Sequence, residues 1–98
     1  MRVFKLKVFA RFQRRERLGD AALCAAIRAA AAGLVDADLG GGLIKQRVAR
    51  SGQGKRGGYR TIVAFRRGDR AVFLFGFAKS DEANVERGEI ARLARFGA

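Results

Sequence analysis

The chain has 98 residues, enough for one small domain and no second module; a chain of this size buries only about 60–65% of the surface its unfolded form exposes. Apolar residues make up 49% of it, too many for a disordered tail, and its single cysteine excludes an internal disulfide. Lysine and arginine number 21 against 9 acids, a net charge of +12, which points to a phosphate-rich partner, because clustered cations neutralise phosphates and release their counterions.

Arg2 to Val8 alternates, with Phe4, Leu6 and Val8 on one face and Lys5 and Lys7 on the other, the period of a half-buried strand. It lacks the uninterrupted apolar stretch of a signal sequence, so a cytoplasmic protein is expected. Phe9 and Phe12, set among Arg11, Arg14, Arg15 and Arg17, predict a short helix or turn with a basic outer surface. Asp20 to Gly33 is the clearest helix. Asp20 is a plausible cap, alanine fills the interior, and Leu23, Ile27, Ala30 and Leu34 form a narrow apolar stripe. Cys24 within it reads as a small buried hydrophobe. Arg28 interrupts the longest apolar run, which is too short to cross a bilayer, and no membrane partner is expected.

Asp36 to Gly42 reads as a loop; its two aspartates lack the further acids that a calcium loop requires. Leu43 to Ala49 reads as a strand, with Ile44 and Val48 on one face and Lys45 and Arg47 on the other. A glycine-rich basic loop, Ser51 to Gly58, follows. It is only superficially like a P-loop, since Arg56 stands after Lys55 where Ser or Thr is needed. From Lys45 to Arg60 there are six Lys or Arg and no acid. Tyr59 to Arg66 and Arg70 to Phe77 are apolar on both faces and predict central strands of a hairpin turning at Arg67-Gly68-Asp69. Arg60 is the anomaly. It shares a face with Ile62 and Ala64, so it is either paired with a carboxylate or held ready for an anion. Phe73, Phe75 and Phe77 fall on one face and read as core. Glu89 to Phe96 predicts a short C-terminal helix. The order is strand, two helices, three strands, helix.

The residue inventory narrows the chemistry. Without histidine a Ser-His-Asp triad cannot be built, zinc lacks its usual ligands, and the acids are too scattered for a two-metal nuclease. Neither a metal nor a cofactor is expected. Cationic catalysis remains. RNA carries its own 2′-OH nucleophile; arginine stabilises a charged phosphorane, and a lysine among other cations can act as general base. Lys45, Arg47, Lys55, Arg60 and Lys79 are the candidates for one such site.

The segments Asp36-Ala-Asp-Leu-Gly-Gly-Gly-Leu-Ile-Lys45, Gly52-Gln-Gly-Lys-Arg-Gly-Gly-Tyr-Arg60 and Phe73-Leu-Phe-Gly-Phe-Ala-Lys79 together resemble the RelE/HigB-type toxins of type II toxin–antitoxin systems. The resemblance covers essentially the whole chain, 1–98, as a single domain. It implies an α+β fold with a small, mainly antiparallel four-stranded sheet. It implies a ribosome-dependent endoribonuclease that cuts mRNA in the A site to a 2′,3′-cyclic phosphate, and a cognate antitoxin, often a helix-turn-helix protein. Arg60 matches the strand arginine that contacts the scissile phosphate. Lys45 and Lys79 complete the expected catalytic set, with Arg47, Arg50, Lys55 and Arg56 as RNA and phosphate ligands. One departure stands out: after Lys79 no aromatic occurs until Phe96, where some members carry a Tyr or His near the C-terminus. Two other readings fit the basic loop, a ParE-like inhibitor of DNA gyrase without catalysis and a plain RNA-binding module.

Overall fold

The computed structural model describes residues 1–50, 54–66 and 68–78, and of residues 50, 54–57 and 78 the backbone alone. The expected C-terminal helix, and Lys79, lie outside the described residues.

The described chain runs β1 (Arg2–Lys5), α1 (Lys7–Glu16), α2 (Asp20–Ala31), β2 (Ala37–Gly40), β3 (Leu43–Arg50), β4 (Gly54–Arg66) and β5 (Arg70–Ala78). The strands form one sheet in the order β1-β5-β4-β3-β2. Every pairing is antiparallel except β1 with β5, which is parallel. The most apolar strands, β4 and β5, lie in the interior of the sheet beside β3, as their two-faced hydrophobicity predicts. The β4–β5 turn carries Gly68 at φ 80°, and Asp69 N–H closes on the Arg66 carbonyl at 3.0 Å.

The α+β class stands, but the sheet has five strands rather than four. Asp36 to Gly42, expected as a loop, contains β2, an edge strand paired with β3. Aspartate and glycine are poor strand formers; here the neighbouring ladder imposes the conformation. Gly40, Gly41 and Gly42, at φ 82°, 62° and 81°, make the return to β3 in a region that other residues enter only with strain.

Alternation sorts the side chains into two layers. On one face, α1 packs on β5 and α2 on β3. Phe9, Phe12, Leu23, Ile27 and Ala30 meet Ile44, Val48, Tyr59, Val63 and Phe73 there. Phe9 stacks on Phe73 at 4.9 Å, and Phe12 meets Tyr59 edge-on at 5.4 Å. The opposite face carries a second cluster, Leu43, Ile62, Leu74 and Phe77, joined by Leu39, Ala64, Val72 and Phe75.

Further sequence expectations change. The strand expected from Arg2 to Val8 ends at Lys5, and Lys7 and Val8 open α1. The β4–β5 register steps from Ile62↔Phe75 to Val63↔Phe73, so Leu74 is an extra residue in a bulge. Phe73 therefore joins the helix-side core, while Phe75 and Phe77 belong to the other face. Cys24 is exposed, because α2 turns Leu23, Ala26, Ile27 and Ala30 inward. Gly19 rather than Asp20 caps α2, Asp20 being its first residue, and Leu34 lies past the helix end, exposed.

Asp20 has another task. Lys5 Nζ donates to Gln13 Oε1 (2.6 Å) and lies 3.3 Å from Asp20 Oδ1, and Gln13 Nε2 donates to that oxygen (2.7 Å) and to the Leu18 carbonyl (3.0 Å). One polar cluster thus ties β1, α1 and α2 together. The hydrogen bond from Gln13, then the hydrogen bond and charge of Lys5, hold the Asp20 carboxyl below its ordinary range.

Candidate RNA-cleavage site

The candidate site begins with strand parity. On β3, Ile44, Gln46 and Val48 are buried, Ile44 and Val48 in the helix-side core, so Lys45 and Arg47 take the other face. On β4, Tyr59 and Val63 belong to the helix side, and Arg60 falls with Ile62 and Ala64 opposite. The register sets Arg47 directly across from Arg60, and Lys45 across from Ile62. Three cations that the sequence spreads over sixteen positions, 45 to 60, thus share one patch of sheet. On the far side of Arg60, its β5 partner is Phe77.

The three differ in setting. Arg47 is exposed and Lys45 is half-buried, with its side chain engaged in contacts of its own. Arg60 is only 7% exposed. A buried guanidinium needs an anion or a full set of acceptors, because desolvating an unpaired charge is costly. Asp36 answers that need: its Oδ2 lies 3.4 Å from Arg60 Nε. Of the two possibilities that the sequence leaves for Arg60, the structure shows the paired one.

Asp36 is itself held. Its backbone N–H donates to Gln46 Oε1 at 3.1 Å, and Gln46 Nε2 donates to the carbonyls of Ala26 (2.9 Å) and Leu34 (3.0 Å). Gln46 is 4% exposed, and Thr61 Oγ1 donates to its carbonyl at 2.8 Å. A glutamine in the core thus fastens the segment after α2 to β3 and fixes the stretch that carries Asp36. The sequence reading weighs Asp36 only as a loop aspartate that could bind calcium, and passes over Gln46. A polar side chain between Ile44 and Val48, on the apolar side of a strand, was the available signal for Gln46.

The remaining candidates are placed less fully. Arg50 ends β3 opposite Gly54, and Lys55 and Arg56 lie in β4; the side chains of all three are outside the described residues, as is Lys79 entirely. Gly54 to Gly58, expected as loop, extends β4 towards its N-terminal end, so the basic segment continues the strand that carries Arg60. Among the described residues no three His, Cys, Asp or Glu side chains come together. No helix among them is long and apolar enough to cross a membrane.

The arrangement offers a rigid strand arginine, a second arginine across from it, a lysine two residues along, and a carboxylate beside the first. It can grip a phosphate and stabilise added negative charge on it. No curated protein matches the chain. A family model does, over residues 1–98, described as the RelE toxin of the RelE/RelB toxin–antitoxin system. With the match spanning its full length, the chain belongs to the RelE toxin family.

Proposed function

We propose that this toxin is a ribosome-dependent endoribonuclease that blocks translation by cutting mRNA, as a single domain acting in the cytoplasm and restrained by a cognate antitoxin. The observation that carries the reading is Arg60, a nearly buried guanidinium fixed on an inner strand, with Arg47 across from it on the same face. The 2′-OH of the nucleotide before the cut attacks the scissile phosphorus. The 2′-O–P bond forms, the P–O5′ bond breaks, and a 2′,3′-cyclic phosphate and a 5′-hydroxyl result. Arg60 stabilises the extra charge on the phosphorane. Lys45 and Lys79 serve proton transfer, one taking the 2′-OH proton and the other protonating the leaving O5′. Arg47, Arg50, Lys55 and Arg56 hold the flanking phosphates. Side chains supply all of this chemistry, without a metal ion.

Inducible expression followed by primer extension on cellular mRNA tests the proposal, with wild type beside Arg60→Ala. A-site cuts in the wild type that drop to a small residual level in the mutant are the expected result. Growth arrest with intact mRNA and inhibited gyrase would replace the proposal with the ParE-like reading. RNA binding without cleavage or toxicity would leave a binding module.

A further inference from the structure

The proposed chemistry assigns Arg60 a phosphate and leaves Asp36 without a part, although its carboxylate is the anion that Arg60 meets. We propose that Asp36 is the positioning residue of the site: it clamps Arg60 by Nε and thereby aims the terminal nitrogens of the guanidinium at the scissile phosphate. This assignment rests on the endoribonuclease reading.

The geometry of arginine carries the first part. Its guanidinium is a planar fork with five donors in fixed directions. A carboxylate at Nε takes the side edge and leaves the Nη1–Nη2 end as a second, parallel pair of donors, the pattern that grips two phosphate oxygens. Contact at Nε is therefore compatible with a phosphate, whereas a carboxylate seated end-on would compete with it.

Burial and anchoring carry the second part. The Arg60 side chain is 9% exposed and that of Asp36 28% exposed, so the carboxylate sits inward of bulk water and solvent screens it only in part. Asp36 also does not hang on a free loop. Gln46, 4% exposed, receives its N–H and is bonded in turn to the Ala26 and Leu34 carbonyls. An isolated partner for a surface arginine needs no such support. A residue that sets the aim of a catalytic side chain does, because small displacements cost rate steeply.

The electrostatic sign makes the role testable. Asp36 places one negative charge beside Arg60, with Arg47 across the ladder and Lys45 two residues along β3. Taken as charge alone, its removal strengthens attraction for RNA. A clamp and a mere neutraliser therefore predict different kinetics.

Cleavage of mRNA on programmed ribosomes is measured for wild type, Asp36→Ala and Asp36→Glu, with Tm recorded for each. The expected result for Asp36→Ala is a fall in kcat on the order of 10–100-fold, with KM unchanged or lower. Asp36→Glu, which restores the charge, recovers part of the loss. In an Arg60→Ala background, Asp36→Ala produces no further fall, because its effect passes through Arg60. Wild-type kcat in Asp36→Ala overturns the assignment, as does an equal loss in both backgrounds. A second readout does not depend on cleavage: the Arg60 Nε–H resonance in a ¹⁵N spectrum of the free protein. It is expected to exchange slowly with solvent in wild type and in Asp36→Glu, and rapidly in Asp36→Ala. The same exchange rate in all three overturns the clamp. A wild-type protein that shows the protected resonance but cuts no mRNA refutes the nuclease reading, and the loss of its target overturns the positioning role.

Discussion

At the scale of the residue, Arg60 shows how a charge is kept inside a small protein. Period-two alternation was enough to set it on the face of Ile62 and Ala64. Its partner was not legible, because Asp36 reaches it through tertiary structure across β3, and no local spacing encodes that contact. Arg60→Lys separates charge from shape. Lysine keeps the cation and loses the fork, so cleavage should fall by about 10²–10³-fold, nearly as far as in Arg60→Ala. Single-turnover cleavage of ribosome-bound mRNA, with each variant at saturating concentration, checks this. Arg17 offers a contrasting case. It closes α1 in the left-handed region at φ 56°, ψ 42°, with its N–H on the Arg14 carbonyl and the Leu18 N–H on the Gln13 carbonyl. Glycine adopts that conformation without the Cβ penalty, so Arg17→Gly should stabilise the protein by about 0.5–1 kcal/mol, read as a higher midpoint in urea.

At the scale of the element, both helices and the three long strands were legible from apolar periodicity, while their edges and irregularities were not. The bulge at Leu74 is a register step, and composition does not mark such steps. Its neighbour Gly76 shows what shapes β5 there. A Cβ at that position would lie 2.4 Å from the Phe12 ring, so α1 approaches the strand through the space a side chain would fill. Gly76→Ala must displace the Phe12 ring, which packs edge-on against Tyr59, and should cost about 1–3 kcal/mol, measured by chemical denaturation. The misreading of Cys24 has a similar origin. In a helix of alanines the stripe is thin, and Cys24 sits one step, about 100° of rotation, past Leu23. The Lys5–Gln13–Asp20 cluster gives the helical layer a pH dependence. Its contribution is complete above the ordinary aspartate value near 3.9 and fades as pH falls through the lower value Asp20 has when folded. Asp20 is well exposed, so the effect is modest. The Tm gap between wild type and Asp20→Asn should hold steady at neutral pH and close in acid.

At the scale of the whole molecule, the sheet separates two duties. One face takes the helices and most of the aromatic core; the other presents Lys45, Arg47 and Arg60 beside an apolar cluster. The net charge of +12 acts over longer range and favours any polyanion. These contributions can be told apart by salt. If Arg47 contacts one phosphate of single-stranded RNA, Arg47→Ala should make the slope of log affinity against log salt shallower by about 0.7. Because Arg47 is exposed, the Tm should stay unchanged. Fluorescence anisotropy on an RNA blocked by a 2′-deoxy nucleotide, across a salt series, gives the slope.

The parallel pairing of β1 with β5 sets the order in which this molecule can be assembled. Arg2 to Lys5 align with Arg70 to Phe73, so among the described residues the first strand to be synthesised has the last strand as its only ladder partner. Until β5 has left the ribosome, β1 lacks that partner. The antiparallel β3–β4 ladder, whose partners are closer along the chain, can form before that. Such distant closure slows folding, and a nascent chain interrupted anywhere before residue 70 has an incomplete sheet. If translation is its target, as proposed, the protein is made by the machine it acts on, and the topology delays its maturation until most of it has been translated.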